Sequence, residues 1–488
     1  MAHRFRRLHL VDELGLSRTA TFGHDIVVRA PGRRWLLLGL GPDPAALARQ
    51  LPPGAEVRYI ECQDCIDQAG PDWRAAIPEA WQRVEAFDPL TAGTIALYRQ
   101  AMALFPAFWG PVRAALLLPR PATEAVDGGR LVLVPQVPGS LLLPAVAAGF
   151  AAEGFTVRAV DRAGLLETLE RARPALYLSV NFAGLDRLGE VQALLARAGV
   201  PVAVWCADNP FHLLSGQRTV AWRGLRLFVT DPWFVEPLRR HGAGFAAHLS
   251  LAADPRFFAA APDRPELADR LLFVGHSAFA GKDGFFAGQR LRRDVLALAG
   301  EGLDRGERPD FGWWARRLGV ETFWPGPAAR RVGLGAEETG LLWRSRVIAG
   351  AAATGRLTVC GDAAWNTLVA APFDFLPPVP YGPELAGMYA SARFVVGTVS
   401  PLLPHGLTQR HFDVWAAGGC LLTDATPGLT LFPDELVRPV TYTRAGDIPR
   451  LAREREGDRD DLIAAWKAEI AAGHTYRQRA RRILESLD

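Results

Sequence analysis

From Arg130 onward the chain alternates short apolar, β-rich runs with helix-like segments, and this alternation constrains the fold more than any other feature. RLVLVPQ reads as a strand and SLLLPAVAAGFAAEG as a helix. TVRAVD, ALYLSVNF, PVAVWCAD and LRLFVTD read as further strands, spaced by GLLETLERA and EVQALLARAG and followed by the helix FVEPLRRHG. Strands that are apolar along their whole length need cover on both faces, and crossovers of this length make them parallel. The Pro-rich stretch around Asp254 to Pro265 reads as a linker. The alternation then restarts at RLLFVGHS. It continues through a helix near Gly288 to Ala299, less regular material, RLTVCGD, RFVVGTVS, a helix and CLLTD. Two successive doubly wound α/β domains are predicted, facing a cleft, with ligands beyond the carboxyl ends of the strands.

A length of 488 residues agrees with more than one domain, and a formal charge of +3 leaves no basic excess for a nucleic-acid partner. Of the five cysteines, at 62, 65, 206, 360 and 420, only Cys62 and Cys65 form a C-x-x-C pair. No second pair or His cluster completes a zinc site, so this pair reads as two ordinary thiols, and the odd, scattered set fits a reducing cytoplasm. The start, MAHRFRRLHLVDELG, lacks the apolar core of a secretory signal, and Ser140 to Ala152 is too short to span a bilayer. A cytoplasmic protein is expected, with no membrane span and at most peripheral contact.

Residues 1–125 are expected to form an N-terminal α/β extension that binds acceptor or partner. DIVVRA, RWLLLGLG and EVRYIE read as strands, followed by helix-like spacing from Trp73 to Trp109. Gly39-Leu40-Gly41 lacks the third glycine of a dinucleotide fingerprint and reads as a tight strand-to-helix turn. Residues 126–262 then form a first Rossmann-like domain on the acceptor side, and 263–450 a second on the donor side. Residues 451–488 form helices packing back across the cleft. In that last segment Leu462, Trp466 and Ile470 share one face, Tyr476, Ala480, Ile483 and Leu487 another, and Thr475 with Gln478 forms a capping-box pattern.

The chemistry concentrates in FVVGTVSPLLPHGLTQRHFDVWAAGGCLLTD, from Phe394 to Asp424. A helix beginning near Thr408, with Gly406 and Leu407 before it, offers backbone N–H groups to a diphosphate. Arg410 adds charge, and Asp413, about one turn on, suits two vicinal hydroxyls. An exposed i,i+3 ion pair of Arg410 and Asp413 fits the same residues equally well, and His405 either faces a sugar or sits in a loop.

The run R-x-F-D-x-x-A-x-G-G followed by LLTD resembles the signature of the CgeB-like bacterial glycosyltransferases, which have the GT-B fold. LLFVGHS resembles the opening strand of that family's donor domain. Pro380-Tyr381-Gly382-Pro383-Glu384-Leu385 with Met388-Tyr389, and His474-Thr475-Tyr476 with Arg479, resemble two further elements. The family usually has Glu where this chain has Asp413, which leaves the donor sugar open. The resemblance implies a nucleotide-diphosphate-sugar donor and a surface glycan or protein acceptor, flagellin among them. It also implies a metal-independent, retaining transfer. Gly275, His276 and Lys282 are implied against the donor phosphates, with Tyr381 and Gly382 beside the donor; Lys282 reads equally as a solvated loop residue.

Asp208, Asn209 and His212 follow the strand VAVWCA, where a carboxylate or imidazole is placed to act as base. Asn181 ends ALYLSVN at the same rim. Pro210 also fits a turn in which Asp208 caps backbone amides. The alternatives to a transferase are a sugar-nucleotide epimerase on the same fold and a non-catalytic glycan- or nucleotide-binding scaffold.

Overall fold

The computed structural model describes residues 6–28, 32–90, 93–125 and 127–487. The chain divides into two compact units. One comprises Met1–Gln136, Arg158–Val202 and Gly216–Leu225, the other Val137–Val157, Ala203–Ser215 and Arg226–Asp488.

The first unit opens with an antiparallel hairpin of β1 (Leu8–Val11) and β2 (Ser17–Ala20). A five-stranded sheet follows, built from β3 (Asp25–Val28), β4 (Arg34–Leu38), β5 (Glu56–Ile60), β6 (Gln82–Arg83) and β7 (Thr94–Leu97) in the order β3-β7-β4-β5-β6. Only the β3–β7 pairing is antiparallel. Leu36, Leu37, Leu38, Val57 and Ile60 pack with Trp73 and Trp109 into one core. The helix-like reading of Trp73 to Trp109 is corrected here. Thr94–Leu97 is β7, whose first three residues are buried between two neighbours, and the helices Arg99–Leu104 and Pro106–Leu117 come only after it. Gly39 and Gly41 adopt φ of +80° and +68°, as the tight turn requires, and the Gly41 carbonyl accepts the Trp73 indole N–H at 2.9 Å.

Strands β8 (Leu131–Pro135), β9 (Thr156–Val160), β10 (Leu176–Val180), β11 (Val202–Cys206), β12 (Arg226–Val229) and β13 (Phe245–His248) form a sheet in the order β13-β12-β11-β10-β8-β9. A third sheet lies wholly in the second unit. Its strands are β14 (Leu271–Val274), β15 (Leu357–Cys360), β16 (Asp374–Leu376), β17 (Phe394–Gly397), β18 (Leu421–Asp424) and β19 (Thr441–Tyr442). They run all parallel in the order β16-β15-β14-β17-β18-β19. Both orders are those of doubly wound Rossmann-like sheets. The two Rossmann-like sheets of the expected fold class, and the mixed α/β sheet of its N-terminal extension, are observed.

The "less regular material" before β15 is instead the longest helix of the protein, Ala328–Ala352, with 25 residues. Gly333, Gly335, Gly340 and Gly350 interrupt its hydrophobic pattern. They serve as notches: a methyl there would fall 1.8 Å from His212 Nε2, 2.2 Å from the Trp314 ring, 3.1 Å from Pro401 and 2.3 Å from the Ala445 carbonyl, respectively. The stretch expected as a linker holds the short helix Pro255–Phe258, with buried Asp254 accepting the Arg256 N–H at 2.9 Å. At the C-terminus, Trp466 stacks on Trp415 at 4.8 Å, and Thr475 and Gln478 form the capping box.

Candidate active site

In the third sheet the strand order reverses between β14 and β17, so the chain leaves these neighbours in opposite directions and opens a crevice at their carboxyl ends. A cleft of about 840 Å³ lies there, within the second unit. Its polar wall comes from five segments: His276 and Ser277 after β14, Asp362 after β15, Ser400 after β17, Asp208 after β11, and Glu337 and Arg344 from the long helix. Phe279 and Phe285 supply apolar surface.

Close backbone approach shapes the floor. A methyl on Gly361 would fall 2.2 Å from the Gly275 carbonyl, and one on Gly275 would meet Arg410 Nη2 at 3.2 Å. Asp362 then ties the turn down, accepting the Ser277 N–H at 2.6 Å, its hydroxyl at 2.9 Å and the Ala364 N–H at 3.1 Å. Burial opposes the charge on Asp362, but these three bonds prevail and hold its carboxyl below the ordinary value. Arg344 donates from Nη2 to the Ser277 carbonyl at 2.8 Å and to Glu337 at 3.2 Å. The pair is two helical turns apart, which brings both side chains to one face. Both are largely shielded, and Arg344 Nε is buried with no hydrogen-bond partner among the described residues. Arg344 also lines the cleft, where a guanidinium is suited to an anion.

The structure divides the three residues read as catalytic. Asp208 is exposed on the cleft wall. Asn209 is a structural cap: its side-chain oxygen accepts the Phe211 N–H at 3.0 Å and the His212 N–H at 3.4 Å, and its amide donates to the Leu402 carbonyl at 3.1 Å. Asn209 thus caps the turn after β11. His212 lies among Phe285, Phe286 and Phe311, with Nε2 against Gly333 and lacking a partner among the described residues. Burial, aided by Arg330 and opposed by a bond to the Ala329 backbone, lowers the imidazole to about 4, so it is neutral at neutral pH.

The Phe394 to Asp424 segment sits differently from the expectation. The helix spans only Arg410–Ala416, and the Thr408 N–H donates to His411 Nδ1 at 3.2 Å. His411 Nε2 in turn meets the Thr423 hydroxyl at 2.9 Å. With Nδ1 accepting, the proton is assigned to Nε2, in keeping with burial lowering this ring to about 3. That Thr408 N–H is thus engaged internally, and the phosphate seat expected at Thr408 is corrected accordingly. Asp413 is 1% exposed. It accepts from the Asp254 N–H at 3.0 Å, Gln409 Nε2 at 3.1 Å and the Tyr381 hydroxyl at 2.6 Å. Burial pushes its carboxyl up to about 7, against the opposing pull of these bonds. The expected diol contact is corrected: protein donors occupy both oxygens. The exposed Arg410–Asp413 ion pair is not formed either, because Arg410 lies beside Gly275 and the Thr398 carbonyl.

The other donor-side residues also have internal partners. Lys282 pairs with Glu338 at 2.8 Å rather than standing free for phosphate. The His405 N–H donates to Asp231 at 3.0 Å, and burial raises the Asp231 carboxyl to about 6. Gly406 and Leu407 are buried, and a methyl on Gly406 would lie 2.8 Å from Leu403. Gly382 takes φ +147° at the start of the helix Pro383–Ser391, beside Arg256. Of the residues named from sequence, Asp208, Asn209, His212 and His276 line the cleft.

Glu337, Arg344 and Asp362 were missed. Asp362 follows the buried strand RLTVC, where the carboxyl-edge rule finds it. Glu337 and Arg344 were hidden with their glycine-broken helix.

Residues 344–485 match a family model described as glycosyl transferase-like. The matched span begins at Arg344 and includes Asp362, Ser400 and the Phe394–Asp424 segment. No curated protein matches. Among solved structures, T4 phage BGT in complex with its UDP-glucose substrate is similar at a TM-score of 0.39 and 10% identity, covering 73% of this chain and 99% of that one. An alpha,alpha-trehalose-phosphate synthase (UDP-forming) from Burkholderia xenovorans is similar at a TM-score of 0.34 and 13% identity, covering 93% of this chain and 100% of the other. With residues 344–485 forming a glycosyl transferase-like domain, the chain is an enzyme of the glycosyltransferase kind.

Proposed function

We propose that the protein is a CgeB-like glycosyltransferase that binds a nucleotide-diphosphate sugar in the cleft at the β14–β17 switch. It transfers the sugar to a surface glycan or protein acceptor, with retention and without a metal. The observation that carries this reading is the cleft itself, where Arg344 presents a buried, partly unbonded guanidinium beside His276 and Ser277. A guanidinium on the cleft wall suits a diphosphate, whose developing charge as the glycosidic bond breaks is stabilised by Arg344. Glu337, held in place by Arg344, accepts from sugar hydroxyls. Exposed Asp208 orients the acceptor hydroxyl and takes its proton, while His212 packs behind it.

Titration with UDP-, GDP- and dTDP-linked sugars tests the reading, followed by NMR of the product anomer. At least one donor is expected to bind, with Arg344→Ala weakening it about tenfold or more. Failure of every donor to bind, or an unchanged affinity in Arg344→Ala, overturns it.

A further inference from the structure

The first unit holds a second cavity of about 840 Å³, bounded by Asp12, Arg18 and Thr19 of the N-terminal hairpin and by Asp186, Arg187 and Arg218. Its acids are committed to internal partners. Asp12 accepts the N–H groups of Leu14 and Leu16 at 3.0 and 2.9 Å and Arg18 Nε at 2.9 Å. Asp186 accepts the N–H groups of Leu188 and Val191 at 2.9 and 2.8 Å. Glu190, also on the wall, is held by both Arg113 and Arg162.

The arginines keep unused capacity. Arg187 donates through Nε to the Gly216 carbonyl at 2.8 Å. Arg218 is fixed through its backbone, its N–H donating to the Arg187 carbonyl at 2.8 Å, while its side chain is exposed. Among the described residues neither forms an ion pair. With their immediate partners included, five arginines stand against three carboxylates at this cavity. A guanidinium has five donors in a planar fork, so one internal bond leaves most of that fork for a ligand.

The hairpin wall is firmly seated. Glu13 accepts the N–H groups of Ala107 and Val220, both at 2.8 Å, and its own N–H donates to the Leu104 carbonyl at 3.0 Å. Gln68 brackets Val11 with bonds of 2.7 and 3.1 Å. The cavity is therefore a built feature with a preset arrangement of charge.

We propose that this cavity binds an oxyanion group, carboxylate or phosphate, carried on a small carbohydrate and held by Arg187 and Arg218 with Arg18 beside them. The volume exceeds what a bare ion fills, which calls for a polar body behind the acid. That the ligand is the sugar acceptor rests on the transferase reading above; the anion site itself stands on the arginine arrangement.

The test is calorimetric titration of the full chain with glucose 6-phosphate, glucuronate and glucose. At least one of the two acids binds and glucose does not, and comparing the acids separates phosphate from carboxylate preference. Arg218→Ala and Arg187→Ala each weaken the acid about ten- to a hundredfold, and added salt weakens it further. Arg218→Ala removes no internal side-chain bond, so its effect is free of the folding change that losing the Arg187–Gly216 bond brings. Binding of neither acid, equal binding of glucose, or an unchanged titration in the double variant overturns the proposal. Nucleotide-sugar titration of the same variants keeps the two ideas apart. Loss of acid binding with donor binding intact removes this site alone, while acid binding without donor binding removes the transferase reading alone.

Discussion

The cluster around Asp413 and the cluster around Arg344 are built from similar parts: a carboxylate, a guanidinium and hydroxyl or amide donors, on neighbouring elements of one unit. Around Asp413 the account is closed, because Asp254, Gln409 and Tyr381 engage both carboxylate oxygens and solvent is excluded. Around Arg344 it is open, with one guanidinium nitrogen buried and unbonded beside a cleft of about 840 Å³. The difference teaches that residue type and spacing locate polar clusters, whereas remaining hydrogen-bond capacity decides which of them has room for a ligand.

Arg344→Ala should have the largest effect. It removes the proposed diphosphate contact and leaves Glu337 as an unpaired carboxylate that is 4% exposed. Loss of about 3–5 kcal/mol in a denaturant melt is expected. Adding Glu337→Gln should restore most of that stability but not nucleotide-sugar binding. If binding returns with stability, Arg344 is a structural residue and the contrast between the clusters fails.

Gly333→Ala comes next. The new methyl would sit 1.8 Å from His212 Nε2, so the imidazole has to leave its place among the phenylalanines. A stability loss of about 1–3 kcal/mol is expected, with a fall in transfer rate larger than the loss in donor affinity. An unchanged transfer rate would show that the packing of His212 behind Asp208 does not matter to the reaction.

The smallest effect is expected at Asp413, and it depends on pH. Because burial raises this carboxyl from 3.8 to about 7, the folded protein keeps a proton that the unfolded chain has already released across that window. Its contribution to stability is therefore present at low pH and lost as pH climbs toward 7. The substitution Asp413→Asn keeps the side-chain shape and removes the ionisation. That variant should gain on wild type between pH 5 and pH 8, on the order of 1–2 kcal/mol. Melting curves at the two pH values read this directly, and donor affinity should stay the same. A large loss of donor affinity would make Asp413 a ligand after all.

Much of the fold was legible because buried parallel strands have a plain signature, and LVLVP, LYLSV, VAVWC and LLFV all read as strands from their apolar runs. Two segments were not. Thr94–Leu97 is too short to show its own period beside the helices that follow it. Ala328–Ala352 was obscured by glycines whose reason lies in its neighbours, since nothing local says that His212 or Trp314 will press into the helix. The site was legible to the extent that it sits at strand ends, as with His276 and Asp208. The engagement of Asp413 was not legible, because two of its partners lie 32 and 159 residues away at Tyr381 and Asp254.

The notched helix also bears on when a functional cleft can exist. Four glycines each cost a helix about 0.8–1 kcal/mol relative to alanine, so this segment is a poor helix by itself. It is held by the side chains and backbone that fill its notches, His212, Trp314, Pro401 and Ala445. Glu337 and Arg344 become neighbours only when the two turns between them are wound. On the donor-binding reading proposed above, a chain whose second unit has not closed around this helix has no cleft in which to hold an activated sugar.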